Sequence, residues 1–125
     1  MYKLSESLEN YLETIYLLSL EGDVRLTDIG AKLNVSKPSV HKALHALEDE
    51  KLITHVHYGA ILLTEEGLKA AKSVLFRHTS IKKFLVEKLK VSEKTAEEDA
   101  CRMEHVMSPE TIKKLLLYMH KGAEV

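Results

Sequence analysis

Thr27-Asp28-Ile29-Gly30-Ala31-Lys32-Leu33-Asn34-Val35-Ser36-Lys37-Pro38-Ser39-Val40-His41-Lys42-Ala43-Leu44-His45-Ala46-Leu47 reads as two short helices separated by a short break. Thr27-Asp28 starts the first, with Ile29, Ala31 and Leu33 as its apolar positions, and Asn34-Val35 interrupts it. Ser36 is an N-cap, and Pro38 falls in the first turn, where its missing N–H breaks no helical bond. Val40, Ala43, Leu44 and Leu47 recur at helical spacing and predict a buried stripe. Two short helices with so brief a connection are the punctuation of a helix-turn-helix.

The flanking segments complete a larger unit. Upstream, Leu8, Tyr11, Leu12, Ile15 and Leu18 mark an amphipathic helix from about Ser7 to Leu20, ended by Glu21-Gly22-Asp23. Downstream, Ile53 to His57 alternates as a strand, Tyr58-Gly59 reads as a turn, and Ala60 to Leu63 as the returning strand. A helix-turn-helix followed by a hairpin is a winged helix. Thr64 then caps a long helix from Glu65 to about Leu89, and Ser92 caps another from about Glu93 to Val106. Ser108-Pro109 opens a last helix to about His120, with Gly122 expected to stop it. The expected fold is therefore mainly α: a winged helix-turn-helix domain over residues 1–64, then an all-helical domain over 65–125.

Composition narrows the function classes. With 45% hydrophobic and 30% charged residues, the 125-residue chain has the profile of an ordinary globular protein rather than a disordered one. No run approaches the roughly 18 apolar residues of a membrane span, and the N-terminus shows no apolar segment of the secretory type, so a cytoplasmic protein with no membrane partner is expected. A net charge of −1 gives no overall pull toward nucleic acid, leaving DNA binding to local distribution. Between Ser36 and Leu47 there are Lys37, His41, Lys42 and His45 but no acid. Ser36, Lys37, Pro38, Ser39, His41 and Lys42 are thus the candidate DNA-contacting residues, with Tyr58 at the wing tip as a further backbone contact. So small a basic footprint favours a dimer that sums two half-sites on double-stranded DNA.

The second chemical signal is Cys101-Arg102-Met103-Glu104-His105. A thiol, a carboxylate and an imidazole stand at i, i+3 and i+4, on one face of a helix. Cys101 is the only cysteine, so no intramolecular disulfide accounts for it. On spacing alone the cluster is either an incomplete metal site or a small buried cysteine beside a solvated Glu-His pair. The residues leave several functions open: a metal-responsive regulator, a metal-independent winged-helix transcription factor with a degenerate or redox-sensing cysteine, a metalloenzyme, or a dimer that recruits protein through its wing. No Gly-rich phosphate loop or second acid-base pair supports the enzyme.

Leu8 to Tyr16, Val35-Ser36-Lys37-Pro38-Ser39-Val40, Phe76-Arg77-His78 and Ala100 to Ser108, in this order and spacing, resemble the iron- and manganese-dependent repressors of the diphtheria toxin repressor and manganese transport regulator family. The resemblance covers nearly the whole chain. It implies an N-terminal DNA-binding domain, a helical dimerisation domain and a regulatory divalent metal, in a short form resembling the manganese regulators. It carries metal ligation to Glu13, His78, Cys101, Glu104 and His105, with Glu104 able to bridge a second ion. Asn10 stands where the family offers Met or Asp, and its neutral amide oxygen is a weaker donor than a carboxylate. Lys82 and Glu97 stand where iron-type members have Glu and His of an ancillary site. The implied activity is operator binding by a metal-loaded homodimer that represses metal-uptake or homeostasis genes. Cys101 shifts the expected metal toward Fe(II) over Mn(II), with Zn(II) or Co(II) able to bind in vitro.

Overall fold

The computed structural model describes residues 4–55 and 59–124. In chain order the elements are α1 (Glu6–Ser19), α2 (Leu26–Leu33), α3 (Lys37–Asp49), β1 (Ile53–His55), β2 (Ile61–Leu63), α4 (Glu65–Glu87), α5 (Glu93–Val106) and α6 (Pro109–Glu124). The chain divides into two compact units, Met1–Ser73 and Val74–Val125, the division falling within α4.

Local chemistry accounts for the helix starts. Ser5, Ser36 and Ser92 each accept a hydrogen bond from the backbone N–H three residues on, as N-cap hydroxyls do. Ser108 does the same for Thr111 N–H at 3.2 Å. α2 starts one residue earlier than the sequence suggests: Arg25 is its N-cap, and Asp28 Oδ2 accepts from Arg25 N–H at 3.0 Å. Asn34 ends it in the left-handed region (φ 56°), a conformation Asn tolerates better than most residues. α6 corrects another expectation, running through Gly122 to Glu124. A helical glycine costs about 1 kcal/mol relative to alanine, which weakens a helix without forbidding it.

In the first unit, Leu12 and Ile15 of α1, Ile29 of α2, Val40, Leu44 and Leu47 of α3, and Leu52, Ile53 and Ile61 around the hairpin bury one another in a single core. Ala31, expected among the apolar positions of α2, is exposed. The wing pairs β1 and β2 antiparallel, Ile53 opposite Leu63 and His55 opposite Ile61. Val24 adds a third backbone rung, its carbonyl accepting from Ile61 N–H at 2.9 Å. Val56, His57 and Tyr58 lie outside the described residues, and with them the expected end of the first wing strand and the Tyr58 contact.

Thr64 locks the start of α4 to this unit: its hydroxyl donates to the Lys51 carbonyl at 2.7 Å and accepts from Gly67 N–H at 3.0 Å. Gly67 faces Leu52 so closely that a Cβ would stand 1.9 Å from the Leu52 carbonyl oxygen. In the second unit, Ile81 and Leu85 of α4 pack against Ala96 and Ala100 of α5 and Ile112 of α6. Ala96 and Ala100 are fully buried there, one turn apart on α5, the helix that also carries the polar cluster described next.

Candidate metal centre

Glu97, Cys101, Glu104 and His105 occupy i, i+4, i+7 and i+8 of α5, hence one face. His78 and Lys82, four apart on α4, stand against them. His78 Nδ1 is 3.1 Å from Glu104 Oε2, and His105 Nε2 is 3.1 Å from Glu104 Oε1. The donor atoms of Cys101, Glu104 and His105 all lie within 4.8 Å of one another. Arg77 Nε donates to the Glu104 carbonyl oxygen at 3.2 Å, tying the turn of α5 that carries the carboxylate to α4.

Glu104 is only 2% exposed. An ionised carboxylate taken out of water requires a cation or several donors close by. Here the nearest groups include two imidazole nitrogens, one on each oxygen, and His78 Nδ1 approaches without the geometry of a hydrogen bond. Carboxylate, two imidazoles and thiol are the ligand types that divalent transition metals take. Donors bonded to one such ion stand roughly 3–4 Å apart, given metal bonds of about 2.0–2.3 Å. The cluster fits a metal in chemistry, and the two Glu104–imidazole distances of 3.1 Å fall in that range.

Behind it lies a second layer. His78 Nε2 is 2.7 Å from Glu97 Oε2, and Lys82 Nζ is 3.1 Å from Glu97 Oε1 and 3.6 Å from Glu93 Oε2. Burial works to raise the Glu97 carboxyl's pKa, but the hydrogen bond from Lys82, the neighbouring His78 imidazole and the Lys82 charge outweigh it, and the net direction is down. The Lys82 ammonium moves up, chiefly through its hydrogen bond to Glu97. The positions that the resemblance associates with an ancillary site therefore hold an ion pair. Lys82 and Glu97 are not among the ligand positions that the resemblance carries over, yet they border the cluster through His78. The signal was there in the spacing, since Lys82 follows His78 by four residues and Glu97 precedes Cys101 by four.

Of the remaining ligand candidates, Asn10 and Glu13 are on α1 in the first unit, both half-buried. The DNA candidates Ser36, Lys37, Pro38, Ser39, His41 and Lys42 are all exposed along the N-terminal half of α3, while Val40, Ala43, Leu44 and Leu47 hold its other face in the core. The first turn of α3 contains no acid. Its two serine hydroxyls and two lysines form one solvent-facing surface suited to phosphate and base edges.

Two family profiles match the chain. Residues 3–61 match "Iron dependent repressor, N-terminal DNA binding domain", and residues 64–124 match "Iron dependent repressor, metal binding and dimerisation domain". The uncharacterized HTH-type transcriptional regulator MJ0568 of Methanocaldococcus jannaschii is 38% identical over 120 residues, covering 94% of this chain and 96% of that protein. The transcriptional regulator MntR of Escherichia coli O6:H1 is 38% identical over 117 residues, covering 93% of this chain and 75% of MntR. Among solved structures, the manganese regulator SloR superposes with a TM-score of 0.79 at 28% identity, over 96% of this chain and 55% of SloR. The chain thus spans about half the length of that solved relative. With a helix-turn-helix and wing in one half and a cluster of metal-ligand side chains in the other, the chain belongs to the iron-dependent repressor family, the metal-dependent transcriptional regulators that include the diphtheria toxin repressor and the manganese transport regulators.

Proposed function

We propose that the chain is a cytoplasmic, metal-activated repressor that binds a double-stranded operator as a homodimer and controls metal-uptake or homeostasis genes. Residues 1–64 are its DNA-binding domain and residues 65–125 its metal-binding and dimerisation domain. The observation that carries this reading is the buried Glu104 carboxylate with an imidazole nitrogen 3.1 Å from each of its oxygens, in the half that matches a metal-binding domain.

The proposed ligands are His78, Cys101, Glu104 and His105, joined by Glu13, with Asn10 offering a neutral oxygen in place of a stronger donor. A divalent metal supplies the positive charge that a buried carboxylate requires. Glu104 provides the fixed negative charge, and Arg77 holds its backbone. Cys101 must release its proton to ligate, which makes its contribution dependent on pH and on the sulfur staying reduced. Its softness favours Fe(II) over Mn(II) as the activating ion, with Zn(II) and Co(II) binding in vitro. On the DNA side, Ser36, Lys37, Pro38, Ser39, His41 and Lys42 face the duplex, with Tyr58 at the wing. Activation is a population shift: ligation favours the conformers whose recognition helices suit two half-sites.

The test is operator affinity by fluorescence anisotropy on anaerobically prepared protein, with Fe(II), Mn(II) or Zn(II) in turn and with chelator. Affinity should rise with metal and collapse with chelator. Equal affinity in both states would leave a metal-independent winged-helix regulator as the better reading.

A further inference from the structure

The His78 imidazole bridges two carboxylates, and its two nitrogens cannot serve both in the same way. Nε2 is 2.7 Å from Glu97 Oε2; Nδ1 is 3.1 Å from Glu104 Oε2 and lacks hydrogen-bond geometry toward it. A neutral imidazole carries one proton, so one nitrogen donates and the other presents a lone pair. Which is which decides whether His78 can ligate through Nδ1, the nitrogen that faces Glu104.

We infer that Lys82 is a positioning residue for the metal centre: by pinning Glu97 it fixes the His78 tautomer with the proton on Nε2, leaving the Nδ1 lone pair directed at the cluster. The inference rests on the metal-binding reading above. The Lys82 ammonium is 3.1 Å from Glu97 Oε1, so Glu97 is held on one oxygen while the other meets His78. Glu93, at 3.6 Å, holds the same ammonium from the preceding turn of α5. The Lys82 side chain is 31% exposed and that of His78 12%, so the relay runs from solvent-accessible surface inward. Outer partners that orient ligating histidines commonly change metal affinity by about 10–100-fold when removed.

A competing role has the opposite sign. If Lys82 acted only as a nearby positive charge, it would repel a cation, and its removal would tighten metal binding. If it positions His78, removal must weaken binding although a repelling charge has gone.

The experiment uses the full chain. In metal-free protein, long-range proton-nitrogen NMR on imidazole-labelled samples should report His78 as the Nε2–H tautomer, and Lys82→Met should convert it to a mixture. Calorimetric titration with Mn(II), and Co(II) absorption spectra under anaerobic conditions, should show binding to Lys82→Met weakened at least tenfold. Lys82→Arg should restore both readouts to within a few-fold. Unchanged or tighter metal binding in Lys82→Met, or an unaltered His78 tautomer, would overturn the inference. Should the unsubstituted chain bind neither Mn(II) nor Co(II), the metal-binding reading itself would fail, and the NMR comparison would still decide what Lys82 does to His78.

Discussion

Glu104 concentrates the energetics of the centre in one side chain. At 2% exposure it lies among His78, His105 and Cys101, with an imidazole nitrogen on each oxygen. Its charge is a liability without a metal and the principal attraction with one, so Glu104→Gln should act in opposite directions on the two states. Calorimetry should show Mn(II) affinity reduced on the order of 100-fold or more, since a coordinating charge is lost. Thermal denaturation of metal-free Glu104→Gln should show a midpoint that does not fall, because the amide removes a buried charge while keeping most of the packing. Cys101 makes a different contribution. Thiolate is the softest donor of the set, so Cys101→Ala should weaken Fe(II) and Co(II) binding more than Mn(II) binding, and titrations with the three ions would reveal equal losses if the thiol were only core filling.

The elements depend on contacts of two ranges. Helix starts at Ser5, Ser36, Ser92 and Ser108 depend on hydroxyls within three residues of the N–H groups they satisfy, and those at Ser36, Ser92 and Ser108 are visible in the sequence. The joint between wing and α4 depends on chain segments 13 or more residues apart. Thr64 donates to the Lys51 carbonyl, and Gly67 lets α4 lie against Leu52 with no room for a methyl group. Gly67→Ala should therefore destabilise the chain by about 1–3 kcal/mol through overpacking, despite alanine's better helix propensity. Urea denaturation would read this as a lower midpoint at unchanged slope; a stabilised variant would show that Leu52 moves aside at little cost.

For the whole molecule, metal binding and folding are linked. A ligand that binds only the folded state stabilises it by RT ln(1 + [L]/Kd), about 2.7 kcal/mol at a free concentration of 100 Kd. For a chain of this size, that corresponds to a rise in the melting temperature on the order of 10 °C. Mn(II) or Fe(II) should produce such a rise, chelator should reverse it, and Glu104→Gln should abolish it; a melting curve indifferent to metal would count against ligation by this cluster. A helical stripe and an i, i+3, i+4 cluster follow from helix periodicity, so the helix-turn-helix, the exposed basic start of α3 and the Cys101-Glu104-His105 face were legible in the chain. So was the family, because the motifs recur in a fixed order along the chain. The sequence by itself also determined where most helices begin, since a cap needs only its own turn. Tertiary structure alone decided that His78 stands between Glu97 and Glu104, that Lys82 pairs with Glu97, that Val24 joins the wing and that Gly67 meets Leu52. Those outcomes depend on how buried faces of separate segments pack, and packing is set by the volumes of residues distant in sequence rather than by any local pattern.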